Sequence, residues 1–123
     1  MNWHLKESGV RRPEHLPTHI ERRLRFALSR FGSRIGKVSV FLQDRNGPKG
    51  GVDKLCRILV KTQGCGVVVA AVADSDWMAA VDRATTRIGQ AVSRQVERVR
   101  DLHAARQQRV TEKRLKWGGG GYA

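Results

Sequence analysis

Residues 74–100 read DSDWMAAVDRATTRIGQAVSRQVERVR, and their pattern decides the fold. At 3.6 residues per turn, apolar side chains fall on one side of this stretch. They are Trp77, Val81, Ala84, Ile88, Ala91, Val92 and Val99. The pattern predicts a long amphipathic helix, capped by Asp74 or Ser75 and about 40 Å long if it is continuous. Such an apolar face needs other elements of the chain to cover it.

Four arginines form a second stripe on the same stretch, centred about 120° from the apolar one. They are Arg83, Arg87, Arg94 and Arg98, called the arginine ridge below. At 100° per residue they fall within an arc of about 60°. Exposed helix faces usually mix both signs of charge, but between Asp82 and Glu112 the chain has only two acids, Glu97 and Asp101. The ridge therefore indicates a polyanion-binding surface.

The overall charge of the chain points in the same direction. Its 123 residues suffice for one compact domain, and they carry a formal net charge of +13 with a pI of about 11.2. No apolar run approaches the ~18 residues of a membrane span, and the first residues lack the apolar core of a secretory signal. We therefore expect a cytoplasmic protein with a polyanionic partner.

The residues before Asp74 predict one helix and several strands. Thr18 and Glu21 have capping-box spacing, and an apolar repeat follows as far as a C-capping Gly32. Apolar and polar side chains alternate over 35–44 and 54–61. Residues 67–73 are small and β-branched, and Met1–Ser8 could form a short edge strand. The expected fold class is α+β, in the order β-α-β-β-β-α: an antiparallel-rich meander sheet with two helices packed on one face.

The composition changes after Arg100, where basic residues continue but the apolar repeat fades. Four consecutive glycines precede Tyr122 and Ala123. We therefore predict a domain of residues 1–103 and a basic, glycine-rich, partly disordered tail of residues 104–123.

Signals for catalysis are weak. The glycine-rich segment 46–51 meets neither the P-loop spacing nor the dinucleotide-binding spacing, so we interpret it as a connection between strands. Lys49 within it and Arg45 just before it are candidates for contact with an RNA backbone. With the turn near Gln63, Cys56 should lie opposite about Ala70, on a different rung from Cys65, so a disulfide is disfavoured. The four histidines are scattered. We expect neither an enzyme nor a metal or cofactor.

Cations also lie on the sheet face predicted to be open to solvent. Lys37, Arg57 and Lys61 alternate there with Phe41, Leu55 and Leu59. Together with the ridge, and with Arg45, Lys49 and Lys54 at or beside the strand connection, they form the set of candidate RNA-binding residues. The full set is Lys37, Arg45, Lys49, Lys54, Arg57, Lys61, Arg83, Arg87, Arg94 and Arg98.

Two runs, NGPKGGVDKLCRI and DWMAAVDRATTRI, resemble the ribosome hibernation promoting factor family, also called the ribosome-associated inhibitor A or sigma-54 modulation family. The resemblance covers roughly residues 18–103 and corresponds to the short form, without the extra dimerisation domain. It implies a fold similar to double-stranded RNA-binding domains. It also implies a non-enzymatic translation inhibitor, monomeric when free, that binds 16S-type rRNA of the 30S subunit or 70S ribosome in the tRNA/mRNA channel. The family's basic-aromatic-basic cluster reads Arg94-Gln95-Val96 here.

Two alternatives stay open. A general double-stranded RNA-binding module would bind naked duplex RNA as tightly as ribosomes. A partner-binding regulator would use the open sheet face, and its binding would be insensitive to salt.

Overall fold

The computed structural model describes residues 1–45 and 52–121, with side chains as far as residue 112, and the predicted α+β fold is confirmed. The elements are β1 (Asn2–Glu7), α1 (Leu16–Leu28), a 3₁₀ segment (Ser29–Arg34), β2 (Ile35–Asp44), β3 (Lys54–Thr62), β4 (Gly66–Asp74) and α2 (Trp77–Gly121). The strands lie side by side in chain order, β1 parallel to β2 and the remaining pairs antiparallel. The sheet is therefore mixed, with a parallel edge strand.

The core lies between the sheet and the two helices. Alternate residues of the strands face it, as the sequence pattern predicts; Val38, Val40, Ile58 and Val60 are completely buried. Helix α1 contributes a stripe of leucines with Ile20, and α2 contributes its predicted apolar face together with Ala80 and Val96. The long helix is thus covered by the sheet that the sequence places before it.

Helix α1 begins earlier than the sequence predicts. It starts at Leu16 with Pro17 in its first turn, where the missing N–H of proline costs no helical hydrogen bond. His15 occupies the N-cap position without a side-chain cap, so the Thr18–Glu21 capping box is wrong. Glu21 instead accepts a 3.0 Å hydrogen bond from Arg25 one turn later. Gly32 does turn the chain, with φ of 56°, but it does so inside the 3₁₀ segment.

The β3–β4 register differs from the expected one. Thr62 pairs with Gly66, so the turn consists of Gln63, Gly64 and Cys65, and Cys56 lies opposite Val72 rather than Ala70. Gly64 and Gly66 have φ of 78° and 76°, a backbone conformation that glycine adopts without strain. Both cysteines are free and buried, and burial raises the pKa of the Cys56 thiol to about 12. That thiol packs as a small apolar group.

The start of α2 is capped by Asp76, not by Asp74 or Ser75. Its carboxylate accepts a 3.0 Å hydrogen bond from the backbone N–H of Ala79, and its carbonyl accepts the first helical bond from Ala80. The next residue, Trp77, is buried, and its indole N–H donates a 2.8 Å hydrogen bond to the carbonyl oxygen of Arg11. This bond ties α2 to the segment that joins β1 to α1.

The backbone of α2 continues as a helix to Gly121, well past the apolar repeat. Residues 101–112 are exposed on every side, so this part of the helix extends beyond the domain. The division of the chain at residue 103, and partial disorder after it, stay predictions. The glycine-rich segment 46–51, which contains the candidate contact Lys49, lies outside the described residues.

Candidate nucleic-acid interface

The arginine ridge lies on the flank of α2 that neither the sheet nor α1 covers, and Arg94 also borders a depression shared with Arg30. One side of α2 packs on β3 and β4, and another packs against α1. The α1 side is marked by Asp82, which lies 2.6 Å from His19 Nε2 and 3.4 Å from Arg23 Nε. Asp82 therefore links α2 to α1 through His19 and Arg23. The ridge occupies the remaining flank, on the side of β4.

Three of the four ridge arginines are free to bind a ligand. Arg87, Arg94 and Arg98 are exposed, and none of them forms an ion pair or a side-chain hydrogen bond within residues 1–45 and 52–112. A guanidinium group with no internal partner keeps all five N–H donors for an anion. These three residues are therefore the ridge cations whose charge no described residue offsets.

Arg83 differs from the other three because β4 supplies it with a carboxylate. Its Nη1 donates a 3.0 Å hydrogen bond to Asp74 Oδ2. This bond, followed by one from the backbone N–H of Asp76, lowers the pKa of Asp74 below its ordinary value. The charge of Arg83 is therefore partly offset, and part of its function is to fix the end of β4 to α2.

A pH dependence follows from this pair. Because the pKa of Asp74 is lowered in the folded chain, its stabilising effect is present above the ordinary aspartate range and is lost as the pH falls through the lowered pKa. Arg83→Met should reduce the urea midpoint at about pH 6, and the difference from the wild type should shrink by about pH 3. Arg87→Met removes the same charge without a carboxylate partner, so its urea midpoint should follow the wild type at both pH values. An equal loss for both variants would contradict the assignment.

The outer face of the sheet carries the second group of candidate residues. Lys37, Arg57 and Lys61 are exposed there, as predicted. The guanidinium of Arg57 lies 4.8 Å from the centre of the Phe41 ring, and Lys6 of β1, which the sequence analysis missed, lies 5.6 Å from it. These cation–π contacts place two exposed cations beside the half-buried Phe41 ring.

At the edge formed by β4, the outer face of the sheet is apolar rather than basic. Val67 and Val69 are 56% and 51% exposed, and β4 has no basic residue. The sheet also separates these outer cations from the ridge, which lies on the helical side. The structure therefore does not bring the predicted residues onto one continuous surface; it divides them between a helix flank and a sheet face.

Arg45 and Lys54 lie together where β2 and β3 meet, and their surroundings differ. Arg45 is exposed, and its backbone N–H donates a 2.9 Å hydrogen bond to the carbonyl oxygen of Asp53. The ammonium of Lys54 lies 3.4 Å from Asp53 and 3.8 Å from Asp44, and 5.8 Å from the centre of the Trp77 ring. Lys54 thus has internal partners and offers a phosphate less free charge than Arg45.

The interruption of the basic cluster at Gln95-Val96 has a structural reason. Val96 is buried in the core, and Gln95 donates a 2.9 Å hydrogen bond from Nε2 to the carbonyl oxygen of Cys65. These two residues hold α2 against the β3–β4 turn. Arg94 alone of the three faces outward from the helix.

Sequence reasoning missed a third cationic surface, between the two helices. Arg30 and Arg34 follow the end of α1, and Arg100 lies across from them on α2; all three line one depression. The available signal was the run of basic residues Arg22, Arg23, Arg25 and Arg30 on and just after the first predicted helix, which by itself indicates only a solvent-exposed face. The position of Arg100 beside them depends on helix packing.

Other kinds of site find little support in the described part of the chain. Within it, no group of three or more histidine, cysteine, aspartate or glutamate side chains is arranged to hold a metal ion. Among the helices of the same residues, none is both long and apolar enough to cross a bilayer.

The fold and the charge distribution define a class: a small, strongly basic α+β domain with unpaired arginines along the flank of a long helix. A family model described as sigma 54 modulation protein / S30EA ribosomal protein matches residues 5–100. The chain belongs to this family, so the resemblance found in the sequence is confirmed. None of the curated proteins compared with the chain matches it significantly.

The fold is also found in solved structures, including two from Coxiella burnetii and Thermus thermophilus. One is a ribosomal subunit interface protein from Coxiella burnetii, with 18% identity and a TM-score of 0.65 over 76% of this chain and 96% of the other. The second is the N-terminal domain of Protein Y from Thermus thermophilus, with 23% identity and a TM-score of 0.61 over 76% of this chain and 98% of the other. At these identities the likeness establishes the fold.

Proposed function

We propose that the chain is a ribosome-associated translation inhibitor that binds rRNA of the small subunit in the channel for tRNA and mRNA. The observation that carries the proposal is the ridge: Arg87, Arg94 and Arg98 are exposed without internal partners in the described structure. Family membership supplies the class of polyanion, since its description names a ribosomal protein. Occupying the channel inhibits translation by exclusion, so this role needs no catalytic group and no cofactor, and it belongs in the cytoplasm.

The arrangement of the ridge suits an RNA backbone. Three guanidinium groups spaced along one flank can each contact a different phosphate and release its counterions. The outer sheet face, through Lys37, Arg57 and Lys61, would contact a second rRNA segment on the opposite side of the domain. A domain with cations on two sides fits a channel with rRNA on both walls.

Sedimentation tests the proposal directly. The protein should move with 30S particles through a sucrose gradient at low salt and should dissociate as salt rises, with a log–log slope of at least about −2 if three phosphates are neutralised. A naked RNA duplex serves as the comparison. Absence from the ribosomal fractions at low salt would refute the proposal, and equal affinity for the naked duplex would favour a general double-stranded RNA-binding module.

The partner-binding alternative has one observation in its favour. Val67 and Val69 form an exposed apolar edge on the sheet face, next to Leu59. A protein bound there would resist salt, because apolar burial is not screened. Ribosome binding that persists unchanged at high salt and depends on Val69 would support this mode instead of the ridge.

A further inference from the structure

The groove between α1 and α2 has features that neither the ridge nor the sheet face explains. It consists of three neighbouring depressions of about 310, 300 and 390 Å³, and Arg30 lines all three. The floor of the first is made of small residues: a Cβ on Gly89 would lie 3.3 Å from the Cβ and the carbonyl oxygen of Ala27. The helices approach closely there, so no large side chain fills the groove above them.

The charge of this groove is almost entirely positive. Arg30, Arg34, Arg94 and Arg100 line it, and none of these four forms an ion pair with another described residue. Among the described lining residues Glu97 is the only acid. Unpaired arginines that converge on a shallow groove are complementary to a chain of phosphates.

An exposed aromatic side chain lies at one end of the groove. Phe26 is 81% exposed, and the guanidinium of Arg23 lies 6.0 Å from the centre of its ring. Arg23 itself is held in place by Thr86 and by the carbonyl oxygen of Asp82. An exposed aromatic ring beside arginines is an arrangement on which an unpaired base stacks.

We propose that the α1–α2 groove binds a single-stranded RNA segment, with one unpaired base stacked on Phe26 and its phosphates running past Arg30 towards Arg34 and Arg100. The groove opens at Arg94 onto the ridge, so a strand leaving it reaches the proposed rRNA contact. An acidic peptide would match the arginines but would have no planar base to stack on Phe26. A double helix would keep its bases inside the stack.

This inference takes its class of ligand from the proposed function, but its test is separate. The probe is a fluorescently labelled single-stranded RNA of about eight nucleotides, compared with the same strand in a duplex. Phe26→Ala should weaken single-strand binding about tenfold, since stacking on one ring accounts for roughly that factor. Phe26→Trp should restore the affinity, and duplex affinity should not change. Because Phe26 is exposed, neither substitution should alter thermal unfolding.

The arginines are tested by the salt dependence. Arg30→Glu with Arg34→Glu should reduce the log–log salt slope for the single strand by about 1.4, the value for two single-strand phosphates. The inference is overturned if Phe26→Ala binds the single strand as tightly as the wild type does. It is equally overturned if polyglutamate or anionic vesicles bind with the same dependence on Phe26.

The outcome also separates this inference from the proposed function. A wild-type protein that ignores 30S particles but shows Phe26-dependent single-strand binding would refute the function and leave the groove assignment standing. If the protein binds 30S particles but Phe26→Ala leaves single-strand binding unchanged, the proposed function stands and the groove assignment is refuted.

Discussion

Arg87→Glu combined with Arg98→Glu should lower the affinity for small ribosomal subunits by at least about 100-fold near 0.1 M salt, since each charge-assisted contact is worth about 1.5 kcal/mol or more. Both side chains are exposed and unpaired in the described structure, so the change removes two anion contacts and adds two repulsions without disturbing the core. The dissociation constant is measured by sedimentation or by fluorescence anisotropy of a labelled protein. The thermal unfolding midpoint should stay within about 4 °C of the wild type.

A matched control changes the same amount of charge elsewhere. Arg11→Glu with Arg22→Glu alters two exposed arginines that lie outside the ridge, the groove and the outer sheet face. Its affinity should fall much less, by the general loss of attraction alone, which salt screens. Equal losses for the two double variants would mean that net charge, and not the ridge, determines binding. A large loss of stability in the ridge variant would mean that these arginines are structural.

The second large effect concerns folding. Trp77→Ala should lower the free energy of unfolding by about 3–5 kcal/mol, a large part of the total for a domain of this size. The indole is only 3% exposed, and its N–H bonds the carbonyl oxygen of Arg11 at 2.8 Å. The substitution therefore leaves a cavity and also removes the hydrogen bond that joins α2 to the segment between β1 and α1. Urea unfolding measures the effect.

Trp77→Phe separates the two contributions. It keeps most of the apolar volume but removes the hydrogen-bond donor, so we expect a loss of about 1–2 kcal/mol. If Phe costs as much as Ala, the hydrogen bond to Arg11 dominates. If neither substitution shifts the urea midpoint, Trp77 does not anchor α2.

Helices and strands were predictable wherever the hydrophobic residues of a segment follow a single helical or strand periodicity. The alternation of β2 and β3 and the apolar stripe of α2 gave the order β-α-β-β-β-α correctly, because each of these elements buries one face only. Their ends were less predictable. The Thr18–Glu21 box had the right spacing, yet α1 begins at Leu16 because Pro17 fits a first helical turn. The cysteine register shifted because it depends on the length of the turn.

For the candidate site too, features within one element were predictable, whereas contacts between elements were not. The arginines of the ridge share one helix, so their common flank follows from helical geometry alone. The partners of Lys54 and Arg83, and the separation of Lys37, Arg57 and Lys61 from the ridge, come from elements distant in sequence. The sequence therefore shows which side chains are charged, but it does not show which of them form ion pairs in the folded chain.

The sequence by itself determined a basic α+β domain built on a long helix with one apolar and one cationic side, because periodicity and charge are local properties. Only the tertiary structure decided which cations stay free. Packing α1 against α2 brings Arg30 and Arg34 to Arg100, and it leaves Phe26 exposed at the edge of the groove they form. Such a surface exists only when two helices meet, since its residues lie far apart along the chain.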